Sequence, residues 1–180
     1  MADPEPKAVY QVQKKGLFSN ELHVSDADGP VGVLKLERGR GMIVGGLWSP
    51  VKGEVLHMRR DPGLLRSQFS LWTDLREWLG SSLRQNVLHR DVRLHTGSRP
   101  LRLLPTTGFG SGWVLQAPKS GDLARFELSL FGNKDRIVQH RKMDFELLIF
   151  SYFLGIQLRK ESFWPGPIEA ASRSAARLAG

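Results

Sequence analysis

The segment 144–161 constrains the fold most strongly, because it has the pattern of a helix that is apolar on every side. Asp144 suits an N-cap, and Arg159 and Lys160 suit a last helical turn. Large apolar residues lie between them around the whole helical circumference, so no face suits water. The uncharged part, 147–158, has 12 residues, whereas a bilayer span needs about 20. We therefore predict a buried core helix and no transmembrane span.

The chain before this helix alternates apolar and polar residues, which is typical of half-buried β-strands. The clearest run sets Phe126 and Leu128 against Arg125 and Glu127. Comparable alternation occurs in the segments 8–13, 22–24, 34–36, 55–59, 65–71, 88–94, 101–103 and 113–117. Turn signals separate the runs at about every 8–12 residues, the spacing of an all-β sandwich or barrel. We predict that residues 8–143 are nearly all β.

Glycine and aspartate mark the predicted turns. The sequence Asp-Ala-Asp-Gly at 26–29 predicts a hairpin turn. The glycines at 39, 41, 45 and 46 predict turns and bulges. The segment 74–78, just before Gly80, predicts one short helix. Within the long helix, Gly155 predicts the close approach of a barrel strand.

These patterns together predict the architecture and the division of the chain. A closed barrel needs its interior filled, and a helix that is apolar on all faces is a suitable plug. We predict a mainly β fold, a closed antiparallel β-barrel that encloses a hydrophobic C-terminal helix. Residues 1–7 are interpreted as a disordered lead-in and 8–161 as the barrel domain, with its central helix at 144–161. The tail 162–180, rich in Ala and Arg, suits a short surface helix or disorder equally.

The end of the predicted domain resembles a known superfamily. A strand-like segment at 131–138 is followed by the helix start at 143–150, Met-Asp-Phe-Glu-Leu-Leu-Ile-Phe. The opening, Tyr-Gln-Val-Gln-Lys-Lys at 10–15 and Leu-His-Val at 22–24, fits as well. This order resembles the tubby-like superfamily of tubby C-terminal domains, phospholipid scramblases and LURP-one-related proteins. The resemblance implies a barrel of about 12 strands around a central helix and, as in tubby domains, binding of phosphoinositides through surface Lys and Arg. The Pro-rich arm, palmitoylated cysteines and Ca²⁺-binding segment of scramblases have no counterpart, so we do not expect scrambling activity.

Charge and composition limit the function. The 26 basic residues exceed the 18 acidic ones, giving a formal net charge of +8, and cysteine is absent. The absence of cysteine excludes disulfides, thiolate metal sites and a cysteine nucleophile. The five histidines have no metal-ligand spacing, so we predict no metal, no cofactor and no catalytic residue. We expect a cytoplasmic protein that associates with membranes peripherally, where its partner is an anionic phospholipid surface or a protein.

The candidate ligand-binding residues are basic side chains at outward positions or strand ends in the N-terminal half: Lys14, Lys15, Lys35, Arg38, Arg40, Arg59 and Arg60. The leading hypothesis is a non-enzymatic binding or scaffold domain that recognises anionic phosphoinositide headgroups. One alternative is an enzyme or a hydrophobic-ligand carrier that uses a cavity inside the barrel. Another is a nucleic-acid adaptor, which would show steep salt dependence with DNA or RNA.

Overall fold

Twelve strands precede one helix in a computed structural model that describes residues 6–16, 19–39, 42–62, 68–84, 91–97, 99–106, 112–129 and 134–163. The strands are β1 (Ala8–Lys14), β2 (Glu21–Ser25), β3 (Pro30–Gly39), β4 (Met42–Pro50), β5 (Leu56–Arg60), β6 (Phe69–Thr73), β7 (Trp78–Leu83), β8 (Val92–His95), β9 (Leu101–Pro105), β10 (Gly112–Ala117), β11 (Gly121–Glu127) and β12 (Lys134–Gln139). The helix is α1 (Phe145–Phe163).

The strands form one closed barrel in which neighbours in sequence are neighbours in the sheet. Each pairing between them is antiparallel, and β1 closes the barrel by pairing with β12 as well as β2. Full closure leaves no free sheet edge, so the backbone groups of every strand have partners on both sides. The predicted fold class, a mainly β closed antiparallel barrel with a C-terminal helix, is confirmed.

Helix α1 fills the barrel. Its residues from Leu148 to Leu158, with Gly155 among them, are buried. The largest fully buried side chains come from both the helix and the strands: Trp48, Tyr152, Phe69, Phe126, Phe150 and Phe153. Phe153 meets Phe69 edge-to-face, with ring centroids 5.1 Å apart, which is a favourable aromatic geometry. The predicted buried core helix is therefore confirmed.

The helix begins where the sequence indicated and extends slightly further. The Asp144 carbonyl accepts the Leu148 amide at 3.2 Å, as an N-cap residue does. The helix ends at Phe163, two residues after the expected position. The remaining tail, 164–180, and residues 1–5 of the predicted lead-in lie outside the described residues. Lys7 donates its amide to the Gln139 carbonyl at 2.8 Å, so it already belongs to the β1–β12 pairing.

Two glycines show how closely the helix and the sheet pack. A Cβ at Gly155 would lie 2.9 Å from Cδ1 of Trp113 on β10, which confirms the predicted close approach of a strand. A Cβ at Gly46 would lie 2.9 Å from the ring of Phe153. Gly45 and Gly46 therefore lie inside β4 and not in a turn, although the β3–β4 register does shift at Glu37/Arg38. The prediction of turns and bulges therefore holds beside Gly45, where the bulge occurs, and is wrong at Gly46, where the missing side chain makes room for the ring of Phe153.

The segment 74–78 does not form the expected short helix. The Thr73 amide bonds to the Glu77 carbonyl at 2.9 Å and closes a tight turn between β6 and β7. Arg76 takes a left-handed conformation with φ 67°, and Trp78 begins β7. Strand pairing here overrides the local helical preference. The 26–29 hairpin turn is confirmed, with the Asp26 carboxylate accepting the Gly29 amide at 3.1 Å.

Candidate functional site

The helix crosses the barrel from one opening to the other. At the first opening Phe145 lies against Tyr10 and Trp48, with ring centroids 5.3 and 5.7 Å away. The Tyr10 hydroxyl donates to the Gln139 side chain at 3.4 Å. Partial burial raises the pKa of Tyr10. The strands β1 and β3 end at the second opening, where α1 ends as well. Their last residues therefore lie around the C-terminal turns of the helix.

Two of the predicted basic residues lie on the inner side of the second opening. Lys14 follows the buried Val12 at the two-residue spacing that keeps a strand side chain on the same face. Arg38 follows the buried Leu36 in the same way and pairs with the buried Ile43 across the bulge. Both side chains therefore extend the core-facing rows of their strands beyond the apolar interior.

The end of the helix adds two more cations. Desolvation, followed by the positive charges of Arg38, Lys14 and Arg159, lowers the pKa of Lys160 from 10.5 to about 8. These charge effects place Lys160 near each of the other three groups, in agreement with the strand geometry. We call the group Lys14, Arg38, Arg159 and Lys160 the basic mouth.

An ion pair anchors the helix beside the basic mouth. Arg84 follows β7, is 6% exposed, and donates to the Glu161 carboxylate at 2.6 Å. Gln157 donates to the other oxygen of the same carboxylate. These contacts connect the last turns of α1 to the barrel wall and hold the neighbouring Lys160 at the opening.

Lys35 and Arg59 lie elsewhere, at exposed outward positions on β3 and β5. Arg60 ends β5 half-buried and continues the core-facing row of the buried Met58, so it lies at the same opening as Lys14 and Arg38, but it is not among the charges that shift the pKa of Lys160. Lys15 is exposed just after β1. Arg40 lies outside the described residues. The structure thus brings Lys14 and Arg38 together and separates them from Lys35 and Arg59.

The sequence analysis did not include Arg159 and Lys160 among the candidate binding residues. They were interpreted only as cations that complement the C-terminal end of a helix. The available signal was the plug itself, since a helix that fills a barrel must bring its charged last turn to an opening. Strand parity gave a second signal, because Lys14 and Arg38 continue the apolar rows of Val12 and Leu36.

The titratable groups form no evident catalytic or metal-binding arrangement in the described segments. No group of three or more His, Asp or Glu that could hold a metal ion occurs in them. His57 contacts Asp74 at 3.0 Å near the opposite end of the barrel, where the Asp74 side chain is largely exposed. The buried Tyr152 hydroxyl donates to Asp135 at 2.7 Å, and desolvation followed by the Asp135 charge raises its pKa well above 10. This pair is a satisfied core contact.

Comparisons with known proteins support the fold. An X-ray structure of the Arabidopsis thaliana protein AT5G01750 is similar to this chain, with a TM-score of 0.54 and 13% sequence identity. The match covers 86% of this chain and 91% of the Arabidopsis chain. No family model and no curated protein matches the sequence. At this identity the similarity establishes a shared fold and nothing about activity.

Among the described residues, no helix has the length and apolarity that crossing a bilayer demands.

Proposed function

We propose that this protein is a non-enzymatic, tubby-like binding domain whose basic mouth recognises the anionic headgroup of a phosphoinositide at a membrane surface. The observation that carries the proposal is the convergence of four cations from β1, β3 and α1 at one opening. Burial, followed by repulsion from the other three cations, disfavours the charged form of Lys160. A bound polyanion would remove that repulsion and form charge-assisted hydrogen bonds. The formal net charge of +8 adds long-range attraction to anionic surfaces.

The helix dipole does not account for this number of cations. The C-terminus of a helix carries a partial charge equivalent to about −0.5. One lysine or arginine in the last turn is sufficient to complement it. Four positive charges near one opening exceed that requirement several-fold, so a multivalent anion is the better explanation.

Vesicle co-sedimentation at low salt tests the proposal. Vesicles of phosphatidylcholine with phosphatidylinositol bisphosphate should retain the wild-type protein, and pure phosphatidylcholine should not. The double variant Lys14→Gln/Lys160→Gln removes two charges from the basic mouth. Since each basic residue near an anionic surface contributes about 1 kcal/mol, we expect partitioning to fall about tenfold or more.

The matched control is Lys35→Gln/Arg59→Gln, which removes the same charge from the outer wall and should change partitioning much less. Equal losses in both variants would show that dispersed charge, and not the basic mouth, binds the membrane. Failure of the wild type to bind anionic vesicles would overturn the proposal. Binding to RNA or DNA with a steep salt dependence, in the absence of vesicle binding, would favour the nucleic-acid adaptor.

A further inference from the structure

The outer wall of the barrel carries an apolar row interrupted by one arginine. The register aligns Val138, Arg125, Val114 and Leu104 across the four strands β12, β11, β10 and β9. All four point away from the interior, because their neighbours Ile137, Phe126, Leu115 and Leu103 are fully buried in the core. Outward positions on a barrel are normally polar. Val138, however, is only 7% exposed and lies outside the core cluster.

A groove follows part of this row. Its volume is about 960 Å³, and the residues that line it include Gln11, Leu104, Val114, Gln116, Arg125 and Arg136. These residues extend from β1 through β12, β11 and β10 to β9. Four spacings of about 4.8 Å between neighbouring strands give the groove a length of about 19 Å. None of the four basic-mouth residues lines it.

Arg125 brings a buried donor atom without a hydrogen-bond partner to the lining of this groove. Its Nε is buried and makes no hydrogen bond with any described residue. An arginine Nε is always a donor, and a buried donor without an acceptor costs free energy. The groove carboxylates are already engaged, since Asp122 accepts the Gln116 amide at 2.7 Å and Glu127 lies 3.5 Å from Arg136. The third, Asp135, accepts the Tyr152 hydroxyl.

We propose that this groove binds an acidic, partly apolar peptide segment of a partner protein, whose carboxylate binds Arg125. A guanidinium matches a carboxylate with two parallel hydrogen bonds, and Val114 and Leu104 offer an adjacent apolar surface one and two strands away. A length of about 19 Å accommodates about six residues of extended chain. That length favours a peptide over a small organic acid, which would occupy only a fraction of the groove.

An array of blocked hexapeptides tests this assignment. Each peptide contains leucine or valine at several positions and one variable position occupied by Glu, Asp, Gln or Lys. The wild-type protein should prefer the Glu and Asp peptides by about tenfold, the usual range for a charge-assisted hydrogen bond. The Arg125→Gln variant should lose this preference. The Arg93→Gln variant removes the same charge from an exposed position on β8, outside the groove, and should keep this preference.

Several outcomes would overturn the proposal. One is equal binding of acidic, neutral and basic peptides by the wild type, and another is an unchanged preference in Arg125→Gln. Binding of octanoate without any peptide preference would assign the groove to a small acid instead. Thermal denaturation checks that each variant folds. If Arg125→Gln does not fold, Val114→Lys keeps the arginine but obstructs the apolar surface, and it should abolish peptide binding.

The two binding proposals can fail separately. Arg125→Gln should bind phosphoinositide vesicles like a protein that has lost one dispersed charge. Conversely, Lys14→Gln/Lys160→Gln should keep its peptide preference.

Discussion

The two ends of helix α1 lie in opposite environments, although the helix between them is one buried rod. At the first end, Phe145 packs against the aromatic rings of Tyr10 and Trp48. At the second end, Lys160 lies near the positive charges of Lys14, Arg38 and Arg159. Aromatic rings pack against the helix at the first opening, and like charges lie near it at the second. The same helix therefore has one end that stabilises the fold and one that, under the proposed function, would hold an anionic headgroup.

The two ends of the helix contribute to the stability of the fold with opposite signs. Burial of the Phe145 ring against two other rings stabilises the fold through the hydrophobic effect and ring–ring geometry. The coupling of Lys160 to three other cations has the opposite sign, because it disfavours the charged form of the lysine. An arrangement that lowers the stability of the unliganded protein is expected at a binding site. The predictions below test whether the two ends separate stability from binding in this way.

The largest effect is expected midway between the ends, where the helix is buried on every side. Phe150 is fully buried, so Phe150→Asp would place an unpaired charge in the core. We expect loss of the folded state, since the cost exceeds a typical total stability of about 5–15 kcal/mol. Far-UV circular dichroism and thermal unfolding measure this, with Phe150→Leu as the apolar control. An Asp variant that unfolds at the wild-type temperature would refute the buried-plug architecture.

The central helix was predictable because a helix buried on all sides is apolar around its whole circumference. That pattern can be recognised in the sequence without knowing which strands surround the helix. The strand β4 was not recognised, because Gly45 and Gly46 interrupt its alternation. Gly46 is required there by the ring of Phe153, which lies more than a hundred positions along the chain. No local pattern carries such a contact.

The candidate site was predictable only in part for a similar reason. Positive charge at strand ends pointed to Lys14 and Arg38, but it pointed equally to Lys35 and Arg59. Selecting among them requires knowing which face of each strand meets the helix end, and that depends on barrel closure. Arg125 gave no signal at all, since its lack of a partner is visible only once the groove around it is formed.

The second prediction concerns the aromatic end. Phe145→Ala removes the ring that contacts Tyr10 and Trp48. Because Phe145 is half-buried, we expect a loss of about 2–3 kcal/mol in the free energy of unfolding, below the range for a fully buried phenylalanine. Denaturant unfolding provides the measurement. Vesicle binding by the folded variant should be unchanged, and a loss of binding would show that the two ends are not independent.

The third prediction asks how tightly the second half of the helix is held. Ala normally stabilises a helix interior by about 1 kcal/mol relative to Gly. At Gly155, however, the added Cβ would lie 2.9 Å from the Trp113 ring, and overpacking of this kind costs about 1–3 kcal/mol. We expect Gly155→Ala to destabilise the protein by about 1 kcal/mol in chemical denaturation. Gly97, where a Cβ would have open space, gives a control whose replacement by Ala should be nearly neutral. Stabilisation by Gly155→Ala would mean that this half of the helix is loosely packed.

The smallest effect on stability is expected at Lys160, and its sign distinguishes the two ends most clearly. Its pKa is about 8 in the folded protein and 10.5 as the unperturbed value. Between these values the unfolded chain binds a proton that the folded protein does not. The contribution of Lys160 to stability therefore rises as the pH increases from about 8 to 10.5 and is unfavourable below that window. Lys160→Met should raise the free energy of unfolding at pH 7 by at most about 1 kcal/mol, because the site is open to solvent. It should also flatten this pH dependence relative to the wild type.

The same variant should weaken phosphoinositide binding, because a bound anion stabilises the protonated lysine. Wild-type affinity should accordingly fall as the pH rises through about 8, and this fall should be smaller in the variant. Denaturant unfolding and vesicle binding over the same pH series measure both effects. A Met variant that is less stable than the wild type, or that binds equally well, would show that Lys160 supports the fold and does not hold a ligand.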